Sequence, residues 1–359
     1  MDYLKKLQFH YQPKKGWRND PNGLVFFKGY YHVFYQHAPN YERPWHEPMC
    51  WGHARTKDFL TWEELPVALW PDKPYDKNGC WSGTAIVKDD VLYLFYASIS
   101  EKATVSVAYS KDGVNFTKYA QNPVINDYPS DGGPDFRDPA VCFIDGVYYC
   151  LMATGHPEDK KARLLLYRSS DLLDWQYVGI TSEWDDAKFA ECPSFIPLEN
   201  NVWITASVCR DTYHFFTAMY GKFINNKFVV EVSGNVDRGP DQYAGQAFKD
   251  DKGRVILISW VPGWDYDGFA AKDIGCMSTP RELFIKDGKV HAFPIKELQH
   301  LLKDNDPSVV ITDTGFVINR EGREPAVYTG VIKDLKILRD EYMIEVFVNG
   351  GEAIYTCIL

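Results

Sequence analysis

Short apolar runs rich in β-branched and aromatic residues recur along the first 300 residues of the chain. Turn signals such as Asp145-Gly146 and Asn225-Asn226 separate them. Segments with a helical period of 3.6 residues are nearly absent, and Pro294–Leu302 is the best helix candidate. The pattern therefore predicts an all-β protein, with strands at Val25–Phe27, Tyr30–Tyr35, Val91–Tyr96, Val147–Met152, Leu164–Tyr167, Val202–Ala206 and Val255–Trp260.

A weak internal repeat refines this prediction. The segment Lys57–Trp62 recurs as Lys111–Phe116 and again as Ser170–Trp175. Its aspartates stand at positions 58, 112 and 171, which gives spacings of 54 and 59 residues. A period of about 40 to 60 residues with several strands per unit is typical of a β-propeller. Residues 17 to 295 then hold roughly five blades, and the alternative is a coincidental turn motif in a large β-sandwich.

The last 60 residues or so differ in character from the repeated part. Leu301–Pro307 is polar and resembles a linker, and Asn349-Gly350-Gly351 signals a hairpin. We therefore predict a propeller domain at residues 1–300 and a small, truncated β-sandwich-like module at residues 301–359. The strands expected in this module are Val309–Thr312, Phe316–Asn319, Ala326–Thr329, Tyr342–Val348 and Ala353–Cys357.

Charge and composition narrow the function classes. A formal net charge of -10 argues against a nucleic-acid partner, which needs a basic surface. Aromatic residues make up 15% of the chain, which suits either sugar stacking or aromatic β-sheet cores. The eight cysteines form no C-x-x-C pair, so neither a zinc site nor a disulfide framework is indicated.

No stretch approaches the roughly 20 apolar residues of a membrane span, so no membrane partner is expected. The N-terminus lacks the apolar segment of a signal peptide. Together with thiols expected to be reduced, this favours a cytoplasmic protein. A secreted protein that has lost its leader is the alternative.

Three carboxylates stand in unusual local settings. Asp20 lies within Trp17–Gly23, between two amides and before a proline; Asp138 precedes Pro139; and Glu191 begins Glu191-Cys192-Pro193. Glycoside hydrolysis needs one carboxylate to attack, or to activate water, and one carboxylic acid to protonate the leaving oxygen. Acids carried to one mouth of a propeller channel could meet these needs.

The neighbours of each acid suggest a role for it. Amides and backbone N–H groups around Asp20 favour its charged form, which suits a nucleophile. Apolar neighbours should raise the pKa of Glu191, which suits a general acid and base. Arg137 should keep Asp138 ionised, so that this anion can hold sugar hydroxyls and stabilise an oxocarbenium-like transition state.

Many ordered motifs resemble glycoside hydrolase family 32, the family of invertases, sucrose-6-phosphate hydrolases and fructan hydrolases. The resemblance runs through most of residues 8–302. It rests on Trp17–Gly23, Tyr31–Gln36, Trp51–Ala54, Trp62–Pro66, Gly79–Ala85, Phe136–Pro139, Glu191–Pro193, Asp241–Gln246 and Cys276–Leu283. It implies a five-bladed propeller with a funnel-shaped pocket, a retaining double displacement, and no metal or cofactor.

The resemblance also implies a role for each site residue. Asp20 would be the nucleophile and Glu191 the acid and base, while Asp138 and Arg137 would bind the fructosyl hydroxyls. The residues implied to line the pocket, with Trp45 and Trp81 forming a hydrophobic wall, are Asn19, Gln36, Trp45, Trp51, Trp81 and Ser82.

Some positions depart from the family pattern. Arg18 stands where an apolar residue is usual and puts a cation near the mouth, Ser194 stands where Asp is frequent, and Gly245 stands where Pro is usual. Cys192 is expected to help set the pKa of the acid, or else to be a buried structural thiol. The largest departure is the tail, which is much shorter than the family's usual C-terminal β-sandwich.

The function expected from these residues and the resemblance is a β-fructofuranosidase acting on sucrose, sucrose 6-phosphate or short fructooligosaccharides. Alternatives are a fructosyltransferase, an inverting arabinan-type glycosidase on the same propeller, and a non-catalytic sugar-binding protein. Lys14, Lys15, Arg18 and Arg43 are candidates for recognising a phosphate. The sequence predicts neither the leaving-group specificity nor the oligomeric state.

Overall fold

Strands dominate the computed structural model, which describes residues 6–40, 48–262 and 275–359. The segment expected to be helical forms a short 3-10 helix at Lys296–Leu301. In the described ranges, no helix is long and apolar enough to cross a membrane. The all-β prediction is therefore confirmed.

Five sheets, each formed largely by consecutive antiparallel strands, make the five blades of a propeller. Blade 1 comprises β1 (Trp17–Phe27), β2 (Tyr30–Ala38), β3 (Cys50–Thr56) and β4 (Trp62–Leu69). Blade 2 comprises β5 (Gly79–Lys88), β6 (Val91–Ile99), β7 (Ala103–Ser110) and β8 (Thr117–Lys118). Blade 3 comprises β9 (Arg137–Ile144), β10 (Val147–His156), β11 (Lys161–Ser169) and β12 (Gln176–Asp185).

The last two blades follow the same order. Blade 4 comprises β13 (Phe189–Pro197), β14 (Val202–Cys209), β15 (His214–Ile224) and β16 (Lys227–Gly234). Blade 5 comprises β17 (Tyr243–Lys249), β18 (Val255–Val261), β20 (Arg281–Lys286) and β21 (Lys289–Pro294), and the short β19 (Cys276–Met277) also pairs with β18. The strands predicted in the repeated part all fall within these elements.

The first strand of every blade faces the central channel. β1, β5, β9, β13 and β17 contact one another in cyclic order, so the ring is closed. An inner strand has no strand partner on its channel edge, and its backbone groups there need other partners. Thr84 Oγ1 donates to Pro139 O, Ser194 Oγ accepts from Ala247 N, and Gln246 links blade 5 to blades 1 and 2 in the same way. Ser194, which stands where the family often has Asp, thus joins blades 4 and 5.

The sequence repeat corresponds to one turn, used between the third and fourth strands of blades 1, 2 and 3. In each blade an aspartate Oδ1 accepts two backbone N–H groups that follow it, at 2.7–2.9 Å. A Ser or Thr two residues earlier caps the same turn. The aspartates are Asp58, Asp112 and Asp171. The repeat therefore marks equivalent positions in three blades, as the propeller prediction required.

The C-terminal part forms two three-stranded sheets that share one hydrophobic core. The first sheet contains β22 (Val309–Thr312), β23 (Gly315–Ile318) and β24 (Ala326–Thr329). The second contains β25 (Leu335–Asp340), β26 (Met343–Val348) and β27 (Ala353–Ile358). β25 was missed because its charged residues break the apolar run. A domain boundary between residues 300 and 301 stays a prediction.

Buried charges join this C-terminal part to blade 5 and to the N-terminal segment. Arg281 on β20 contacts Asp237 at 2.6 Å and Glu345 on β26 at 2.9 Å. His10 lies 2.9 Å from Asp340 through Nδ1 and 3.3 Å from Glu345 through Nε2. Removal of one member would leave the others as buried charges without a partner, which is strongly destabilising. The buried charges therefore hold the three segments together.

Arg18 belongs to the same region. Its side chain is buried, and it donates to the carbonyl oxygens of Gly275 and Gly16. Burial lowers its pKa to about 10. The expectation that Arg18 places a free cation at the mouth, ready for a phosphate, is therefore wrong. Of the other phosphate candidates, Lys14 and Lys15 are exposed and Arg43 lies outside the described residues.

We expect the buried charges to make stability depend on pH through His10. Burial alone would lower the pKa of His10, but Asp340 and Glu345 outweigh it and raise the pKa from 6.5 to about 9. A raised histidine pKa stabilises the folded state fully below about pH 6.5, and this contribution is lost as pH rises through about 9. Chemical denaturation should show that the free energy of unfolding falls by on the order of 3 kcal/mol over this pH range.

The matched variants are His10→Gln, which should lack this pH-dependent loss, and His300→Gln, an exposed histidine whose variant should keep it. An equal loss in His10→Gln and the wild type would contradict the assignment.

Candidate active site

Each of the five inner strands carries a β-bulge near its start. At that point two residues of the inner strand lie opposite one residue of its partner strand. A bulge bends the strand and redirects a side chain, and bulges are frequent beside active sites. The bulged pairs are Asn19-Asp20, Trp81-Ser82, Asp138-Pro139, Cys192-Pro193 and Ala244-Gly245. Three of them contain predicted site residues, and the other two contain Cys192 and Gly245, which were also singled out from the sequence.

Three of these bulges hold a non-glycine residue in the left-handed region. The φ angles are 57° at Asp138, 47° at Cys192 and 49° at Ala244. Such backbone is uncommon outside glycine and clusters at functional sites. The same left-handed bulge therefore recurs at the channel mouth in blades 3, 4 and 5.

Gly245 in the fifth bulge is the departure from the family's usual proline. A β-carbon there would lie 2.7 Å from the Phe216 ring and 2.9 Å from Ser259 Oγ. These side chains occupy the space that a larger residue would need. The glycine is thus explained by local packing.

Asp20 meets residues from two other blades. Ser82 Oγ donates to Asp20 Oδ2 at 2.6 Å, Asn19 Nδ2 donates to Oδ1 at 3.1 Å, and the Cys192 sulfur lies 3.4 Å from Oδ2. Burial and the charge of Glu191 raise the pKa of Asp20, and the three donors only partly offset them. Of the donors expected around Asp20, only the Asn19 amide is confirmed, since Ser82 and Cys192 come from distant parts of the chain. The expectation that donors would dominate was wrong, because the carboxyl is desolvated.

Glu191 is held by residues of blades 3, 4 and 5. Arg137 Nη2 donates to Glu191 Oε1 at 2.8 Å, while Tyr243 Oη donates to Oε2 and Cys209 Sγ lies 3.7 Å from Oε2. Burial opposes ionisation, but Arg137 and the hydrogen bonds outweigh it and lower the pKa of Glu191. The rise in pKa expected from apolar neighbours was therefore wrong.

Asp138 accepts the backbone N–H of Cys192 at 2.8 Å. Burial raises its pKa to about 7, against the opposing charge of Arg137. Arg137 pairs with Glu191 and Asp135 instead, and its guanidinium lies 4.6 Å from the centre of the Phe189 ring. The expectation that Arg137 would hold Asp138 ionised was wrong, because the arginine's hydrogen bonds go elsewhere.

Cys192 sits between two carboxyls rather than beside the predicted acid. Its sulfur is within 3.5 Å of both Asp20 and Asp138. Burial raises the pKa of the Cys192 thiol well above its usual value, so it stays neutral. The thiol that touches Glu191 is Cys209.

Two predicted pocket residues lie behind the second bulge. Gln36 and Trp51 are fully buried, with Gln36 Nε2 donating to Cys80 O at 3.1 Å and Trp51 Nε1 donating to Trp81 O at 3.0 Å. They support the Trp81-Ser82 segment, and the expectation that they line the sugar pocket stays a prediction. Asn19 and Ser82 contact Asp20 directly, and Trp81 is half-buried in the same bulge. Trp45 lies outside the described residues.

Two neighbours of Glu191, Tyr243 and Cys209, were not predicted from the sequence. Tyr243 lies in a motif that carried the family resemblance, and that motif was the available signal. Cys209 has no local signal, because it ends β14 and reaches the site only through the pairing of β14 with β13.

A polar cavity of about 490 Å³ opens beside this cluster. It shares Asp135 and Phe189 with the surroundings of Arg137. Lys160, Lys188, Asp186 and Asp211 also line it. The cavity therefore lies beside Arg137, and it is large enough for a small molecule.

The family model described as "Glycosyl hydrolases family 32 N-terminal domain" matches residues 10–294. A sucrose-6-phosphate hydrolase of Zymomonas mobilis is 35% identical over 335 residues, which cover 85% of this chain and 64% of that protein. A raffinose invertase of Escherichia coli is 33% identical over 323 residues, which cover 83% of this chain and 66% of that protein. The chain thus spans slightly less than two thirds of the length of these relatives.

Solved structures of the same class superpose on the whole chain. A mutant of the Bombyx mori GH32 β-fructofuranosidase in complex with sucrose gives a TM-score of 0.84 at 26% identity, covering 100% of this chain and 90% of that one. The sucrose-6-phosphate hydrolase of Lactobacillus gasseri gives 0.86 at 25% identity, covering 99% and 88%.

We expect Ser82→Ala to raise the pKa of Asp20 further, by about one unit, because a hydrogen bond to a charged group is lost. Carbon-13 NMR titration of labelled aspartate carboxyls measures this. Ser98→Ala removes a buried hydroxyl of blade 2 that bonds to Thr104 and Ser106, and it should leave the Asp20 titration in place. An unchanged Asp20 titration in Ser82→Ala would contradict the assigned role of Ser82.

Proposed function

The chain belongs to glycoside hydrolase family 32, and we propose that it is a retaining β-fructofuranosidase acting on sucrose, sucrose 6-phosphate or short fructooligosaccharides. The observation that carries the proposal is the meeting of Asp20, Asp138 and Glu191 at one mouth of the propeller. They come from blades 1, 3 and 4, and Cys192 and Arg137 connect them. A location in the cytoplasm stays a prediction.

Asp20 is the proposed nucleophile. Its carboxylate oxygen attacks the anomeric carbon of the fructosyl unit while Glu191 gives its proton to the departing glycosidic oxygen. In the second step Glu191 takes a proton from water, and that water oxygen displaces Asp20 and releases fructose. Ser82 and Asn19 supply the hydrogen bonds that orient the Asp20 carboxyl.

The pKa shifts of the site run against the roles that the first step needs. Arg137 and Tyr243 lower the pKa of Glu191, while burial raises the pKa values of Asp20 and Asp138. Sugar hydroxyls that bind Arg137 and Asp138 would weaken the contact between Arg137 and Glu191. The pKa of Glu191 then rises, because a carboxyl that loses a cation binds protons more tightly. The pKa of Asp20 falls in turn, because the negative charge of Glu191 that raises it is lost on protonation. Substrate binding thus sets the protonation that the chemistry needs.

The cavity beside Asp135 is the proposed place for the leaving group. It begins next to Arg137, the residue that contacts the acid. Lys188 there pairs with Asp211 at 3.2 Å, and both side chains are exposed. Lys160 and Lys188 line this cavity together with Asp135, Asp186 and Asp211, so its charges do not favour an anionic leaving group over a neutral one.

Loss of either main carboxylate should abolish turnover without unfolding the protein. Asp20→Asn and Glu191→Gln preserve side-chain shape, and each should lower kcat/KM by at least about 10³-fold. Fructose release from sucrose, sucrose 6-phosphate, 1-kestose, inulin and levan is the assay, and the best substrate identifies the leaving group. Asp174→Asn, at an exposed turn position, is the control and should remain active. Undiminished turnover in either carboxylate variant would end the proposal.

Retention of configuration follows from a covalent intermediate on Asp20. Proton and carbon NMR of the first product should show the anomer with the substrate's β configuration before mutarotation. The opposite anomer would favour the inverting arabinan-type alternative, in which the two carboxyls stand about 6.5–9.5 Å apart to admit a water.

A further inference from the structure

Cys209 differs from the other seven cysteines because it alone is not fully buried. It ends β14 in blade 4, and its register partner on β13 is Phe189, two residues before Glu191. Its sulfur lies 3.0 Å from Tyr243 Oη and 3.7 Å from Glu191 Oε2. The closer contact is therefore with the tyrosine, which itself bonds to Glu191.

The two oxygens of Glu191 have different neighbours. Oε1 receives the guanidinium of Arg137, which is a fixed cation. Oε2 receives the Tyr243 hydroxyl, which is neutral and can be polarised by a donor on its own oxygen. A thiol 3.0 Å from that oxygen is positioned to be such a donor.

We propose that Cys209 is a positioning residue for Glu191, and that its thiol acts through the Tyr243 hydroxyl to stabilise the ionised carboxylate. The chain of bonds runs from Cys209 Sγ–H to Tyr243 Oη, and from Tyr243 Oη–H to Glu191 Oε2. Donation to the phenol oxygen strengthens the donation of its hydrogen to the carboxylate. The ionised form of Glu191 is the one that accepts a proton from water in the second step. This role rests on the proposed function, which names Glu191 as the acid and base.

The thiol suits this role because it stays protonated. Burial and the nearby Glu191 raise the pKa of Cys209 to about 12. A thiol with a high pKa is a poor nucleophile and reacts slowly with oxidants. Cys209 therefore acts as a hydrogen-bond donor, and its partial exposure does not make it a redox sensor.

The experiment measures the titration of Glu191 in the resting protein by carbon-13 NMR of labelled glutamate, with Glu191→Gln identifying its signal. Cys209→Ala should raise the Glu191 titration midpoint by about half a pH unit to one unit, since one neutral hydrogen bond is lost. Cys209→Ser keeps a donor and should shift it less. Cys209→Val, similar in size to cysteine, replaces the alanine variant if that variant fails to fold.

A double-mutant cycle separates this role from a structural one. Tyr243→Phe alone should raise the midpoint, and adding Cys209→Ala to it should change nothing further, because the thiol acts through the phenol. Cys142→Ala removes a buried thiol of the blade 3 core and should leave the midpoint in place. The alkaline limb of the kcat/KM profile should move upward with the titration.

The proposal is overturned if Cys209→Ala leaves the Glu191 midpoint unmoved, if Cys209→Ser shifts it as much as Cys209→Ala, or if the shift persists in the Tyr243→Phe background. Because the titration needs no turnover, it tests Cys209 separately from the proposed function. A wild-type protein that releases no fructose would refute the proposed function, while the midpoint shifts would still decide the role of Cys209.

Discussion

The bulge at the start of each inner strand is the constraint on which the site depends. A regular strand would alternate its side chains between the two faces of its blade, and neighbouring blades would present them in different directions. One extra residue per strand turns a side chain out of that alternation and into the channel mouth. Since the ring of inner strands is closed, five such turns meet in one place. The left-handed backbone at Asp138, Cys192 and Ala244 accompanies this convergence.

The second constraint is electrostatic and follows from the first. Three carboxyls converge, of which Asp138 is buried and Asp20 and Glu191 are half-buried, while Arg137 contacts Glu191. Burial and the neighbouring like charges raise the pKa values of Asp20 and Asp138, whereas Arg137 lowers that of Glu191. The protons are therefore distributed by the hydrogen bonds that each carboxyl receives, and Arg137 decides the distribution by contacting Glu191 instead of Asp138. In the proposed mechanism, a sugar that competes for Arg137 would redistribute the protons and so couple binding to chemistry.

Sequence patterns predicted the fold well because both of its signals are local. Alternating apolar runs mark strands, and the aspartate turns at Asp58, Asp112 and Asp171 mark equivalent points of three blades. The identity of the carboxylates was also accessible, through the motifs around Asp20, Asp138 and Glu191. Their protonation was not, because it depends on partners distant in sequence, such as Ser82 for Asp20. Chain neighbours proved misleading at Arg137, whose guanidinium bonds to Glu191, 54 residues away, although Asp138 is adjacent.

Burial also distinguishes residues that contact the carboxyls from residues that support the bulges from behind. Trp51 and Gln36 belong to motifs of the family resemblance, yet they hold the Trp81-Ser82 bulge from behind. Arg18 looked like a cation at the mouth and instead lies in the packing between blade 1 and the C-terminal sheets. A short motif indicates that a residue belongs to the site region, whereas only the tertiary contacts show which groups it touches.

The measurement that tests the central claim most directly is trapping of the covalent intermediate. Glu191→Gln protein mixed with an activated fructosyl donor that needs no acid, then quenched in acid and digested, should yield a hexosyl adduct on the peptide that contains Asp20. Mass spectrometry locates the adduct. An adduct on the peptide containing Asp138, or none under conditions in which the donor is consumed, would contradict the account.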